Sequence, residues 1–235
     1  VSRRAQRGLT VLELSVVLAI IGVLAGLSWA GYEQLSARTG PQNAAADLSS
    51  ALSEARARAV DRHADVWLII YPDINTAGLP GQGSGAWFLV EDRKLDFNAP
   101  GAVPPGHLRY ATFVPPGQVE LAPEQGSRLE SVYLDSYSKR SVRFGTSGTL
   151  AWDGVFTGLA PSACSFCTGT PRRGAIIFRE DGSARFVDGA GAPVLPAGAG
   201  ALQRAVTLGL LSSDNQSEFL FAVSGPVGFV DSRSR

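Results

Sequence analysis

From Leu9 to Ala30 the chain runs almost without interruption through apolar residues, LTVLELSVVLAIIGVLAGLSWA, directly behind Arg3, Arg4 and Arg7. A helix of about 20 residues covers the roughly 30 Å hydrocarbon core of a bilayer, so this run is long enough to cross one. No comparable basic cluster lies close behind the run. The positive-inside rule then keeps the N-terminus cytoplasmic and exports the remainder of the chain. The expected topology is a single pass of the inner membrane with a periplasmic C-terminal domain.

Three ordinary explanations compete for such a run. A secretory signal peptide has a shorter apolar core and a small-residue cleavage site after it. A buried core helix rarely sits at the extreme N-terminus behind three arginines. A plain signal anchor fits the length and charge but leaves Glu13 unexplained. A charge at the centre of an apolar span costs about 2.5–3.5 kcal/mol on insertion scales, so Glu13 needs a partner or a purpose. Cutting the chain after Gly8 would give Leu9 a free α-amino group, protonated near neutral pH, with Glu13 as its i,i+4 neighbour. The same carboxylate could pair with the new amine of an adjacent subunit. Either pairing neutralises both charges, and the second also sets subunit register.

The stretch Gly8-Leu9-Thr10-Val11-Leu12-Glu13 and the apolar residues after it, to Ala25, resemble the class III signal of type IV prepilins and type II secretion pseudopilins. The resemblance implies that a membrane aspartyl peptidase, the prepilin peptidase, cuts between Gly8 and Leu9 and methylates Leu9. It also implies that Glu13 guides assembly into a filament with other pilins or pseudopilins. Two departures stand out. Leu9 occupies a place where Phe or Met is commoner, and no helix-kinking proline comes directly after the apolar segment. Gly22, Gly26 and Gly31 could supply looseness instead. The chain contains no Met, so its initiator lies upstream or is written as Val1.

Beyond Gly40-Pro41, the segment Gln42 to His63 turns amphipathic. Leu48, Leu52, Ala55 and Ala59 recur at helical spacing, with Asp47, Glu54, Arg58 and Asp61 off the stripe. That stripe predicts packing against a sheet, with Pro41 kinking the helix or starting its second half. From Asp65 the pattern changes to short β-branched and aromatic runs between turn clusters. The predicted strands are Val66–Tyr71, Ala86–Glu91, Leu108–Val114, Ser131–Asp135, Ser141–Phe144, Gly174–Arg179, Ala184–Val187, Arg204–Leu211 and Phe219–Ser224. Gly78–Gly85 and Ala190–Gly200 read as loops. With 27 Gly and 14 Pro, the composition suits a turn-rich β domain better than a helical bundle. The expected fold class is α+β, a long N-terminal helix, transmembrane then amphipathic, packed on an antiparallel β-rich C-terminal domain as in pilins. Its divisions are a basic leader at 1–8, a membrane and filament-core helix at 9–30, its amphipathic continuation at 31–63 and an exported domain at 64–235.

The order of helix, hairpins, Phe-Arg-Glu-Asp-Gly-Ser at 178–183 and a late apolar strand from Phe221 into Ser224-Gly225-Pro226-Val227 resembles the GspH/FimT-type minor pseudopilins and minor pilins. Pro226 occupies the usual Arg place, and 152–173 reads as an insertion. The resemblance implies a non-enzymatic subunit of a type IV pilus or type II secretion pseudopilus, in a tip or priming role.

Other chemistry is sparse. Cys164-Ser-Phe-Cys167 could be a redox dithiol, half a zinc site or a small structural disulfide. Zinc needs about four ligands, and His63 and His107 are remote in sequence. The Thr168-Gly-Thr-Pro171 just after the second cysteine opposes a thioredoxin-like helix. An oxidising compartment favours the disulfide, stiffening a contact surface in the insertion. The glycines from Gly78 to Gly85 lack the helix N-terminus and Lys of a phosphate site. Arg172, Arg173, Arg233 and Arg235 are the only tight candidates for weak DNA contact. Lys+Arg and Asp+Glu are both 21, and losing the leader would leave acid in excess, so nucleic acid is not an expected partner. No cofactor or metal is expected. The alternatives are a signal-anchored envelope protein with a redox CxxC, and a DNA-uptake minor pilin.

Overall fold

A computed structural model describes residues 11–115, 117, 120–137, 141–195 and 204–235, without the side chains of 30–38. The chain divides into two compact units, one ending at Thr39 and one running from Gly40 to Arg235. Helix α1, Val11–Arg62, contributes to both and includes Pro41 as a helical residue rather than as a start. It stops at His63, which takes the left-handed backbone (φ 51) typical of the residue just past a helix C-terminus.

Within the second unit, the described residues form nine strands in two antiparallel sheets. They are β1 Asp65–Tyr71, β2 Ala86–Asp92, β3 Gly126–Tyr133, β4 Val142–Phe144, β5 Gly174–Phe178, β6 Ala184–Val187, β7 Ala205–Ser212, β8 Glu218–Ser224 and β9 Val230–Ser234. The first sheet is ordered β3-β2-β1-β5-β6 and the second β4-β7-β8-β9. Leu48, Leu52, Ala55 and Ala59 of α1 share a core with Val66, Leu68 and Ile70 of β1 and with Val206, Leu208, Phe221 and Val223 of the second sheet. The amphipathic stripe therefore packs into a core shared by both sheets.

Strand β1 is apolar on both faces, and both are buried. Its alternate residues Trp67, Ile69 and Tyr71 pack beneath Phe97, Tyr110 and Phe113 from the connection between β2 and β3. This corrects the sequence expectation of a strand at Leu108–Val114. That segment holds a single 3-10 turn, Tyr110–Thr112, bounded by Pro104-Pro105-Gly106 and Pro115. Its aromatic residues form a lid on the sheet rather than a member of it. Gln125 pins the lid, donating to Asp96 Oδ1 at 2.9 Å and to the Leu108 carbonyl at 2.6 Å, and accepting from Leu108 N at 2.8 Å. Asp96 also meets His107 Nδ1 at 2.5 Å.

Strand β3 begins at Gly126, well before the predicted Ser131, and continues to Tyr133. A Cβ at Gly126 would collide with the Glu91 carbonyl, so the close approach requires glycine. Strand β9 has no counterpart among the predicted strands, because its sequence, VDSRS, is polar and shows no apolar alternation.

Candidate functional site

The first unit is dominated by one chemical fact. Val11–Trp29 forms a helix of mean hydropathy 2.4 with none of its residues buried. Val11 is 86% exposed and Trp29 69%, with Leu, Val and Ile exposed on every side between them. A helix apolar all round is stable only in lipid or among other helices. The predominance of Leu, Val and Ile also explains why the segment is helical, since in hydrocarbon a helix satisfies each backbone polar group internally. Ser15 hides its hydroxyl in the same manner, donating to the Leu12 carbonyl at 2.8 Å.

Glu13 lies in the first turn of α1. A carboxylate there interacts favourably with the positive end of the helix dipole. Gly8 and Leu9 lie outside the described residues. The family model for the prokaryotic N-terminal methylation motif matches residues 3–29, which takes in the arginines, Gly8, Leu9, Glu13 and the apolar helix together. The chain carries a type IV pilin-like methylation motif. Comparison with curated proteins and with solved structures gives no significant match. The motif implies processing by prepilin peptidase and assembly with other pilins, and its apolar helix suggests a membrane anchor.

Cys164 and Cys167 are joined in a disulfide, with Cα atoms 5.4 Å apart. Both cysteines are buried in the main core. The 152–173 segment is bound to the second sheet. Cys164 bridges to Leu208, and Ser165 N donates to the Thr207 carbonyl at 3.0 Å. Trp152 and Phe156 cover the outer face of that sheet over Leu220 and Ala222. Among the described residues, no group of three or more His, Cys, Asp or Glu is placed to hold a metal ion.

The four arginines are not one surface. Arg172 donates to the carbonyls of Cys164 (3.2 Å) and Cys167 (3.3 Å), closing the disulfide loop. Arg173 is 8% exposed and turned inward. It donates to the carbonyls of Gly189 (2.9 Å), Phe113 (2.9 Å) and Ala111 (3.1 Å) and to Tyr71 Oη (3.2 Å). Its guanidinium lies 4.6 Å from the Tyr110 ring centre, so Arg173 cannot reach a nucleic acid. Arg233 is forked onto Asp153, and Arg235 donates to Thr149 Oγ1 at 2.8 Å.

Asp92 and Glu218 are buried carboxylates that the sequence reading did not single out. Burial pushes Asp92 up from the usual 3.8 to about 6, against the pull of the Phe97 N–H that it accepts. Burial pushes Glu218 up as well, but hydrogen bonds from Ser147, Thr146 and Thr149 outweigh it and hold the carboxyl below its ordinary value. No sequence signal pointed to that anchor, because Glu218 and Ser147 are about seventy residues apart.

Proposed function

We propose that this chain is a minor pilin or pseudopilin of the GspH/FimT type. Residues 1–8 act as a leader, residues 9–30 as membrane and then filament-core helix, residues 31–63 as its continuation and residues 64–235 as the exported domain. Prepilin peptidase cuts after Gly8 and methylates Leu9, and Glu13 pairs with a neighbouring N-terminal amine as the helix leaves the bilayer for a filament core. The subunit then serves a type IV pilus or a type II secretion pseudopilus in a tip or priming role. The role is structural, and no catalytic group is assigned.

One observation carries the reading. The matched methylation motif and a fully exposed apolar helix with a carboxylate in its first turn occupy the same residues. Lipid alone would favour the helix without the carboxylate. A packed array of helices whose N-terminal amines need neutralising favours both.

The test is intact-mass and N-terminal mapping of membrane-expressed protein with and without co-expressed prepilin peptidase. A peptidase-dependent start at Leu9, heavier by one methyl group, is expected. An uncut N-terminus, where a known prepilin is cut in parallel, would overturn the reading.

A further inference from the structure

Within the exported domain, the two flanks of α1 differ in charge, and each adjoins the free edge of a different sheet. On one flank Gln42, Ala46, Ser49, Ser53, Ala57 and Val60 run at helical spacing over roughly 27 Å. They line two grooves of about 230 and 590 Å³ against β8 and β9. Among the described residues, strand β9 pairs only with β8. Glu218 and Arg235 exchange both backbone hydrogen bonds (2.9 and 3.2 Å), and Ser224 N donates to the Phe229 carbonyl at 2.8 Å. Antiparallel alternation then turns the backbone groups of Val230, Ser232 and Ser234 away from β8. Those same three residues line the grooves. Phe229, half exposed, stands at the larger groove beside Arg56. Arg56 has neither a hydrogen-bond nor an ion-pair partner among the described residues.

The opposite flank is acidic. Asp47 and Glu54 of α1 lie near Glu130 of β3, the outermost strand of the other sheet. Arg58 neutralises Glu54 at 2.7 Å. Asp47 accepts from the Tyr137 hydroxyl, and neither Asp47 nor Glu130 has a cationic partner among the described residues. Burial pushes the Glu130 carboxyl up, and the Glu54 and Asp47 charges add to the effect. A cation beside these groups would relieve their repulsion. Asp47 and Arg56 project roughly 180° apart around α1, so one chain cannot bring them together. Two copies side by side can.

We propose that exported domains of two copies of this chain dock head to tail, the Asp47–Glu130 flank of one lying against the α1–β9 groove of the next at Arg56. The two faces are different, so the contact is heterologous. The inference rests on the filament reading above and supplies the surface through which its exported domains meet.

The experiment uses the full chain in detergent micelles with a benzophenone photo-crosslinker replacing Ala57. A covalent dimer is expected, with the linked peptide mapping to β3 of the second copy. Arg56→Glu or Glu130→Arg alone should lower the dimer yield about tenfold by placing like charges face to face. Mixing the two variants should restore it, since each then offers the other an opposite charge; misfolded chains would show no such rescue. Unchanged yield in both single variants, failure of the mixture to recover, or crosslinks to another surface or another protein would overturn the proposal. If peptidase-dependent processing at Leu9 persists alongside such a failure, the docking surface is wrong and the filament reading stands.

Discussion

Arg173 shows how far one side chain can be from the role its neighbours in sequence suggest. Its charge is spread over three carbonyls, a hydroxyl and the Tyr110 ring, drawn from segments far apart in the chain. Arg173→Met would strip the part-buried Gly189 and Ala111 carbonyls of this donor and leave the Phe113 carbonyl with the Tyr71 hydroxyl alone. A loss of about 3 kcal/mol is expected, since each buried orphan costs about 1–3 kcal/mol. Denaturant unfolding of the detergent-solubilised chain would measure it, and a loss within experimental error would refute the network's role. Asp92 makes a prediction of a different kind. Its carboxyl, raised to about 6, holds its proton more tightly folded than unfolded, so ionisation works against the fold. The favourable contribution is complete below about pH 4 and is lost as pH rises to about 6. Asp92→Asn should flatten the stability profile across that window, and an unaltered slope would count against it. Glu218 is shifted the other way; its stabilisation is lost as pH falls below the ordinary carboxylate range, so it does not mask the effect.

Among the elements, the 152–173 segment is the clearest case of a local motif with a tertiary purpose. Its disulfide closes a very short loop inside the core, with Arg172 capping the loop's carbonyls. Loop-closure entropy for so short a span corresponds to about 2 kcal/mol. Replacing Cys164 and Cys167 together by Ser should lower unfolding free energy by about that amount and leave processing at Leu9 unchanged. Loss of turnover of a disulfide substrate in the same variant, with the fold retained, would instead favour the redox alternative. The aromatic lid over β1 obeys the same logic. Its prolines prevent a strand, while Phe97, Tyr110 and Phe113 supply what β1 needs on its second face.

For the whole molecule, the two units divide the work by solvent. Residues Val11–Trp29 expose an apolar helix that water would not tolerate, and residues from Gly40 bury a core between helix and sheets. Under the proposed reading, Glu13→Val should insert normally, because it removes a charge that costs about 2.5–3.5 kcal/mol in hydrocarbon. It should nevertheless reduce recovery in filaments, where the carboxylate's partner is a neighbour's amine. Fractionating membrane and sheared filaments from cells expressing the variant would separate the two effects. Filament recovery equal to wild type would remove the assembly role of Glu13.

The apolar run, Glu13 and the spacing of Leu48, Leu52, Ala55 and Ala59 were legible without coordinates, because each is a periodic or local signal set by the solvent an element faces. Most strands were legible for the same reason. The lid and β9 were not. An aromatic run bounded by prolines reads alike whether it joins a sheet or covers one, and a polar edge strand is held by the backbone of its neighbour rather than by its own side chains. The inward turn of Arg173 and the anchoring of Glu218 were beyond reach on the same grounds, since their partners lie tens of residues away. Sequence by itself determined which surfaces must leave water. Tertiary structure alone decided which polar groups went with them, because a buried charge is settled by the distant donors and acceptors that the fold assembles around it.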